Sequence, residues 1–118
     1  MVTRVLLADP DKELLDIFHS ALSGLEFEIA TAETGPEGAD LLRQFEPDVL
    51  VMELDLADQW SNRLLVMMKS GSELPPVPTI ILSRFDDRQD FDDWPLVKRV
   101  HVKPISIATL KESICLAR

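Results

Sequence analysis

Four short apolar runs in this chain each end on a polar residue: Asp9 after VLLA, Glu53 after VLVM, Ser83 after TIIL and Lys103 after VHV. If these runs are parallel strands of an open α/β sheet, their carboxyl ends form the crevice where ligands bind. The four residues then converge on one site however far apart they lie in the chain. Two carboxylates, a hydroxyl and an ammonium are groups suited to phosphate chemistry.

The segments between the runs carry helical spacing. Val5 to Ala8 reads as the first strand, and Pro10 to Leu25 follows with Leu14, Phe18, Leu22 and Leu25 on one face. Asp9 is expected to cap that helix, Pro10 suits its first turn and Gly24 ends it. Phe27 to Ala32 reads as the second strand. Gly35 and Pro36 open a second helix with Ala39, Leu42 and Phe45 inward, and Pro47 stops it. Val49 to Leu54 is almost continuously apolar, as a central strand covered on both faces should be. Leu64, Met67 and Met68 predict a third helix ended by Ser70 and Gly71. A bend at Pro75, Pro76 and Pro78 leads into a fourth strand, Thr79 to Leu82. The fifth strand is Val100 to Val102, after which Ser106 caps a last helix carrying Ile107, Leu110 and Ile114 inward. Between them, Arg84 to Leu96 keeps no sustained apolar face, and a short or irregular helix is expected there.

Strict alternation of this kind requires crossover connections, which are right-handed in nearly all cases. It predicts an α/β domain with a flavodoxin-like five-stranded parallel sheet, order 2-1-3-4-5, and helices on both faces. The 118 residues suit one domain, 1–118, that buries roughly two-thirds of its unfolded surface. A formal net charge of −9 argues against direct binding to nucleic acid or an anionic membrane and favours a basic partner or a cation. The single Cys115 forms no internal disulfide, and the apolar run before Asp9 is too short for a signal peptide or membrane span. A cytoplasmic protein is expected.

In order, RVLLADPDKELL, TAETGPEGADLL, FEPDVLVMELDL, VPTIILS and VHVKPIS resemble the conserved blocks of response-regulator receiver domains, the CheY-like family. The series covers essentially the whole chain, and Lys103 followed by Pro104 strengthens it. The resemblance implies a non-enzymatic module of a two-component phosphorelay. Such a module takes a phosphoryl group from a histidine kinase or histidine phosphotransfer protein onto an Asp, with a divalent cation such as Mg2+ held by acidic residues. Phosphorylation then shifts a surface read by an effector.

Carried over residue by residue, the resemblance puts Asp9 and Pro10 at the acidic pair, Glu53 at the phosphoacceptor, Ser83 at the hydroxyl switch and Lys103 at the lysine position. It assigns metal ligation to Asp9 and to the backbone carbonyl of Asp55. Asp11 and Asp55 are further acids near the pocket. Three positions break the pattern: Glu53 stands in place of an aspartate, Pro10 lacks a carboxylate, and Val100 stands where an aromatic switch residue is common. Glu53 is also one methylene longer than aspartate, a displacement of roughly 1.5 Å, and a misplacement of that order can cost about a hundredfold in rate. With only Asp9 and Glu53 facing Lys103, the need for Mg2+ is weakened and a Glu53 to Lys103 ion pair is expected. These departures suggest a pseudo-receiver, a phosphorylation-independent or constitutively biased interaction module.

Blander readings stand beside these. Glu53 fits drift in a folded spacer as well as mimicry of an activated state, Asp9 a simple helix cap, and Ser83 a strand-end backbone contact. Asp11 and Asp55 read as solvated surface acids, and His19 and His101 as ordinary residues with no ligand pairing. Trp60, Trp94 and Phe91 read as cover for the core where the fourth helix is poor. A different class is a small phosphatase of the haloacid dehalogenase type, with Asp9 as nucleophile and Asp11 as general acid. Glu13 and the short chain argue against it. The resemblance also implies a face of helix 4, strand 5 and helix 5 that homodimerises or meets an effector. Here that face carries Asp86, Asp87, Asp90, Asp92 and Asp93, then Lys98 and Arg99, so a partner chosen by charge is expected.

Overall fold

The computed structural model describes residues 2–24, 26–71, 73–84 and 91–118. Its strands are β1 (Thr3–Ala8), β2 (Phe27–Ala32), β3 (Val49–Glu53), β4 (Thr79–Ser83) and β5 (Val97–Val102). All neighbours pair in parallel, in the order β2-β1-β3-β4-β5. The α-helices among the described residues are α1 (Lys12–Leu22), α2 (Gly35–Gln44), α3 (Trp60–Ser70) and α4 (Ile107–Ala117).

The pleat of the strands sorts the core into two layers. Leu6 and Ala8 of β1, Leu50 and Met52 of β3 and Ile81 of β4 face α2 and α3, meeting Ala39, Leu42, Leu64 and Met68. Val5, Leu7, Val49, Val51, Ile80 and Leu82 face the other way onto Leu15, Phe18 and Leu22 of α1 and Leu110 and Ile114 of α4. Every residue of β3 is buried, which is why its sequence is an unbroken apolar run up to Glu53. Trp60, Phe91 and Trp94 are partly buried against the first layer, so they cover core as expected.

Several boundaries differ from the sequence reading, each for a local reason. The cap of α1 is Asp11, whose side chain accepts from the Leu14 amide at 3.2 Å. Asp9 instead accepts from the Asp11 amide at 2.9 Å, and Pro10 precedes the helix. The same helix ends at Leu22 with Ser23 as its cap, before Gly24; Leu25 lies outside the described residues. Leu15 is buried where Leu14 was expected to lead the face. Phe45 is only half-buried and caps α2, with the Arg4 guanidinium 4.4 Å from its ring centre. β5 begins at Val97, because Lys98 and Arg99 are tolerated on an exposed edge strand that reads poorly as sheet. The expected fourth helix falls largely on residues 85–90, outside the described residues along with Phe85, Asp86, Asp87 and Asp90; 91–96 form turns. The Ser106 cap of α4 is present, accepting from the Thr109 amide at 3.1 Å.

Candidate functional site at the carboxyl ends of the strands

The strand order reverses between β1 and β3, and the crevice beyond their carboxyl ends is the topological switch point of such a sheet. Asp9 follows β1, Glu53 ends β3, Ser83 ends β4 and Lys103 follows β5. Asp9 and Glu53 are only 5% and 1% exposed. Their charges therefore need partners, since an isolated buried carboxylate is costly.

Lys103 supplies the partner for both. Its Nζ donates to Asp9 Oδ2 at 2.6 Å and to Glu53 Oε1 at 2.8 Å. The remaining oxygens are also engaged: Asp9 Oδ1 accepts from the Asp11 amide at 2.9 Å, and Glu53 Oε2 from the Asp55 amide at 3.2 Å. Backbone geometry fixes the lysine as well, because its amide donates to the Ser83 carbonyl at 2.8 Å. Burial disfavours the Lys103 ammonium, but hydrogen bonds to Asp9 and Glu53 and the charges of those two carboxylates outweigh it. The pKa is raised above the ordinary lysine value.

Arg84, the residue after β4, was not singled out from the sequence. Its Nε lies 3.9 Å from Glu53 Oε1, and an Nη lies 3.6 Å from Asp55 Oδ2. The signal that could have found it is position, since it directly follows the Ser83 strand end. Asp55 is exposed and meets the site through Arg84 and through its own amide. Asp11 is exposed and committed to capping α1. Ser83 is buried at the next strand end. Val100 is 44% exposed on β5. His19 is exposed, whereas His101 Nε2 lies 2.7 Å from Ser113 Oγ across the β5–α4 contact. Burial first, and Arg99 second, lower the His101 pKa.

The residues do not suit a divalent cation. All four oxygens of the buried pair already accept from N–H groups, and the position between Asp9 and Asp11 that would add a carboxylate is Pro10. Among the described residues, no cluster of three or more His, Cys, Asp or Glu side chains is placed to hold a metal. Beside the charges, a cleft of about 400 Å³ is walled by Leu14 and Phe18 of α1 and by Pro104 and Ile105, with Arg84 and Lys103 at its polar end.

The chain is a doubly wound parallel domain with an acid, acid and lysine cluster at its switch point, and comparison with known proteins assigns its class. The family model described as "Response regulator receiver domain" matches residues 5–114; the chain belongs to that family and is a receiver domain of two-component signalling. It is 22% identical over 90 residues to the polar-differentiation response regulator DivK of Brucella ovis, spanning 76% of this chain and 73% of that protein. Its fold is similar to that of the signal receiver domain of a putative Luxo repressor protein from Vibrio parahaemolyticus. That match has a TM-score of 0.85 at 20% identity and covers 99% of this chain and 90% of the other. The receiver domain of an HD domain-containing protein from Pseudomonas fluorescens Pf-5 gives 0.84 at 20% identity, covering 99% and 94%. No helix among the described residues is long and apolar enough to cross a membrane.

Proposed function

We propose that this receiver domain acts as a phosphorylation-independent protein-interaction module, a pseudo-receiver in which Glu53 stands at the phosphoacceptor position. The observation that carries the reading is the Lys103 bridge, 2.6 Å to Asp9 and 2.8 Å to Glu53. An acceptor must offer a carboxylate oxygen to the incoming phosphorus, and both Glu53 oxygens are already held. The buried, paired Glu53 also keeps a negative charge at this position without any donor, so the domain stays in one state.

In this reading Ser83 and Lys103 keep the phosphate-site positions, and Asp9, Asp11 and Asp55 form the acidic pocket, with Asp9 buried and the other two exposed. Mg2+ is not required. The partners are a histidine kinase or phosphotransfer protein, docking over the apolar wall of the cleft, or a downstream effector, and the setting is cytoplasmic. A homodimer through β5 and α4 is the further arrangement. The exposed Asp92, Asp93, Lys98 and Arg99 favour a partner chosen by charge, whose affinity falls as salt rises. The domain is not an enzyme. A phosphatase would need Asp11 as general acid, and Asp11 is the α1 cap.

The test is intact-mass spectrometry after incubation with a small-molecule phosphodonor and magnesium, with any adduct mapped to its residue. No adduct is expected. A base-labile adduct on Asp9, Glu53 or Asp55 would overturn the reading. Multiple-turnover hydrolysis of a generic phosphate monoester would instead favour the enzyme.

A further inference from the structure

We infer that Arg84 supplies, from within the chain, the positive charge that a divalent cation would bring, so that this acidic site excludes metal. The guanidinium lies 3.9 Å from Glu53 and 3.6 Å from Asp55. It thus shares Glu53 Oε1 with Lys103 and carries positive charge from there to Asp55. Lys103 joins that same oxygen to Asp9. Asp9, Glu53, Lys103 and Arg84 sum to zero formal charge, and Asp55 leaves a single negative charge at the exposed rim.

A hard divalent cation binds where several oxygen ligands are free and their mutual repulsion is relieved by the metal. Neither condition holds here. Each buried oxygen already accepts from an N–H donor, and the repulsion between Glu53 and Asp55 is relieved by Arg84. A cation entering beside Glu53 would also meet a like charge within about 4 Å, which even in water-like dielectric costs enough to weaken binding at least tenfold. Arg84 is well suited to this place because its guanidinium stays charged at any ordinary pH and can reach two carboxylates at once.

This inference concerns cation binding and is independent of whether the pseudo-receiver reading holds, because its test uses no phosphodonor. Manganese and magnesium chloride are titrated separately into the wild type, R84Q and R84K while amide NMR signals of Asp9, Glu53 and Asp55 are followed. Glutamine keeps much of the arginine's length without its charge, and lysine keeps the charge without its shape. The wild type and R84K are expected to show no saturable response in the millimolar range. R84Q is expected to bind Mn2+ at these amides at least about tenfold more tightly. Equal binding by wild type and R84Q, or none by R84Q with its spectrum otherwise native, would overturn the inference. Binding by R84K equal to that of R84Q would assign the effect to shape and overturn it too.

Discussion

Glu53 and Lys103 are 50 residues apart in the chain and 2.8 Å apart in the fold. The pair joins the central strand of the sheet to the segment leaving its edge, and Asp9 extends the same contact to β1. Removing the ammonium alone should therefore be severe. K103M leaves two buried carboxylates facing each other, a change expected to cost about 3–5 kcal/mol. The triple variant D9N/E53Q/K103M, which removes the charges together, should regain most of that loss. Urea denaturation of the three proteins checks both halves.

The lysine also sets an alkaline limit. Its folded pKa lies above the ordinary 10.5, so the native state keeps a proton that the unfolded chain begins to release. The stabilisation is complete below about pH 10.5 and is lost as pH rises through the higher folded value. The stability gap between wild type and K103M should hold from neutral pH up to that window and then narrow. A gap that stays constant through the window would show that the pair does not titrate with folding.

His101 acts in the opposite range. Its pKa is lowered below 6.5, by burial and then by Arg99, so the unfolded chain binds the proton more readily than the native one. The neutral form's advantage is present above about pH 6.5 and is lost as pH falls from there toward the folded value. H101Q should flatten this mildly acidic slope. Urea midpoints measured at intervals from about pH 7.5 to 5 read the difference.

Restoring chemistry should need more than one residue. E53D alone is expected to recover little phosphorylation from a small-molecule donor while Pro10 remains, and P10D/E53D should recover more. Time-resolved intact mass separates the two. If E53D alone were modified as fast as the double variant, the loss of the second acidic position would not be limiting.

Gly35 makes a packing prediction unrelated to the site. A Cβ built there would lie 2.1 Å from Trp60 Cγ and 2.2 Å from Trp60 Cβ, too close for a small adjustment of the ring tip. G35A should push α2 from α3 at a cost of about 1–3 kcal/mol, with a shift in tryptophan emission.

The architecture was legible because the chain spells its layers plainly. The unbroken apolar run of β3 and the alternating order of strands and helices leave few topologies other than 2-1-3-4-5. The convergence of Asp9, Glu53, Ser83 and Lys103 at the strand ends followed from that topology. What escaped the sequence reading depended on tertiary partners. Asp9 and Asp11 are equally good caps on paper, and only the claim of Lys103 on Asp9 leaves Asp11 to the helix. Gly35 looked like a helix opener, yet its missing side chain makes room for Trp60. Lys98 and Arg99 masked the start of β5, since their tolerance comes from lying at an edge. Arg84 looked like the start of an irregular charged segment, and its reach to two carboxylates needs the register of β3 against β4.

The Lys103 bridge also has a consequence in time. Asp9 leaves the ribosome 94 residues ahead of Lys103, a delay of roughly 5–20 s at ordinary rates of synthesis. For the last 50 residues of that interval the nascent chain carries both carboxylates of the future interior without their shared cation. The first three strands can bury their apolar residues early, but closing the sheet around those acids must wait for the fifth. Closure of the sheet and neutralisation of its interior are thus one event, so a ribosome stalled before residue 103 would hold a precursor unable to finish its core.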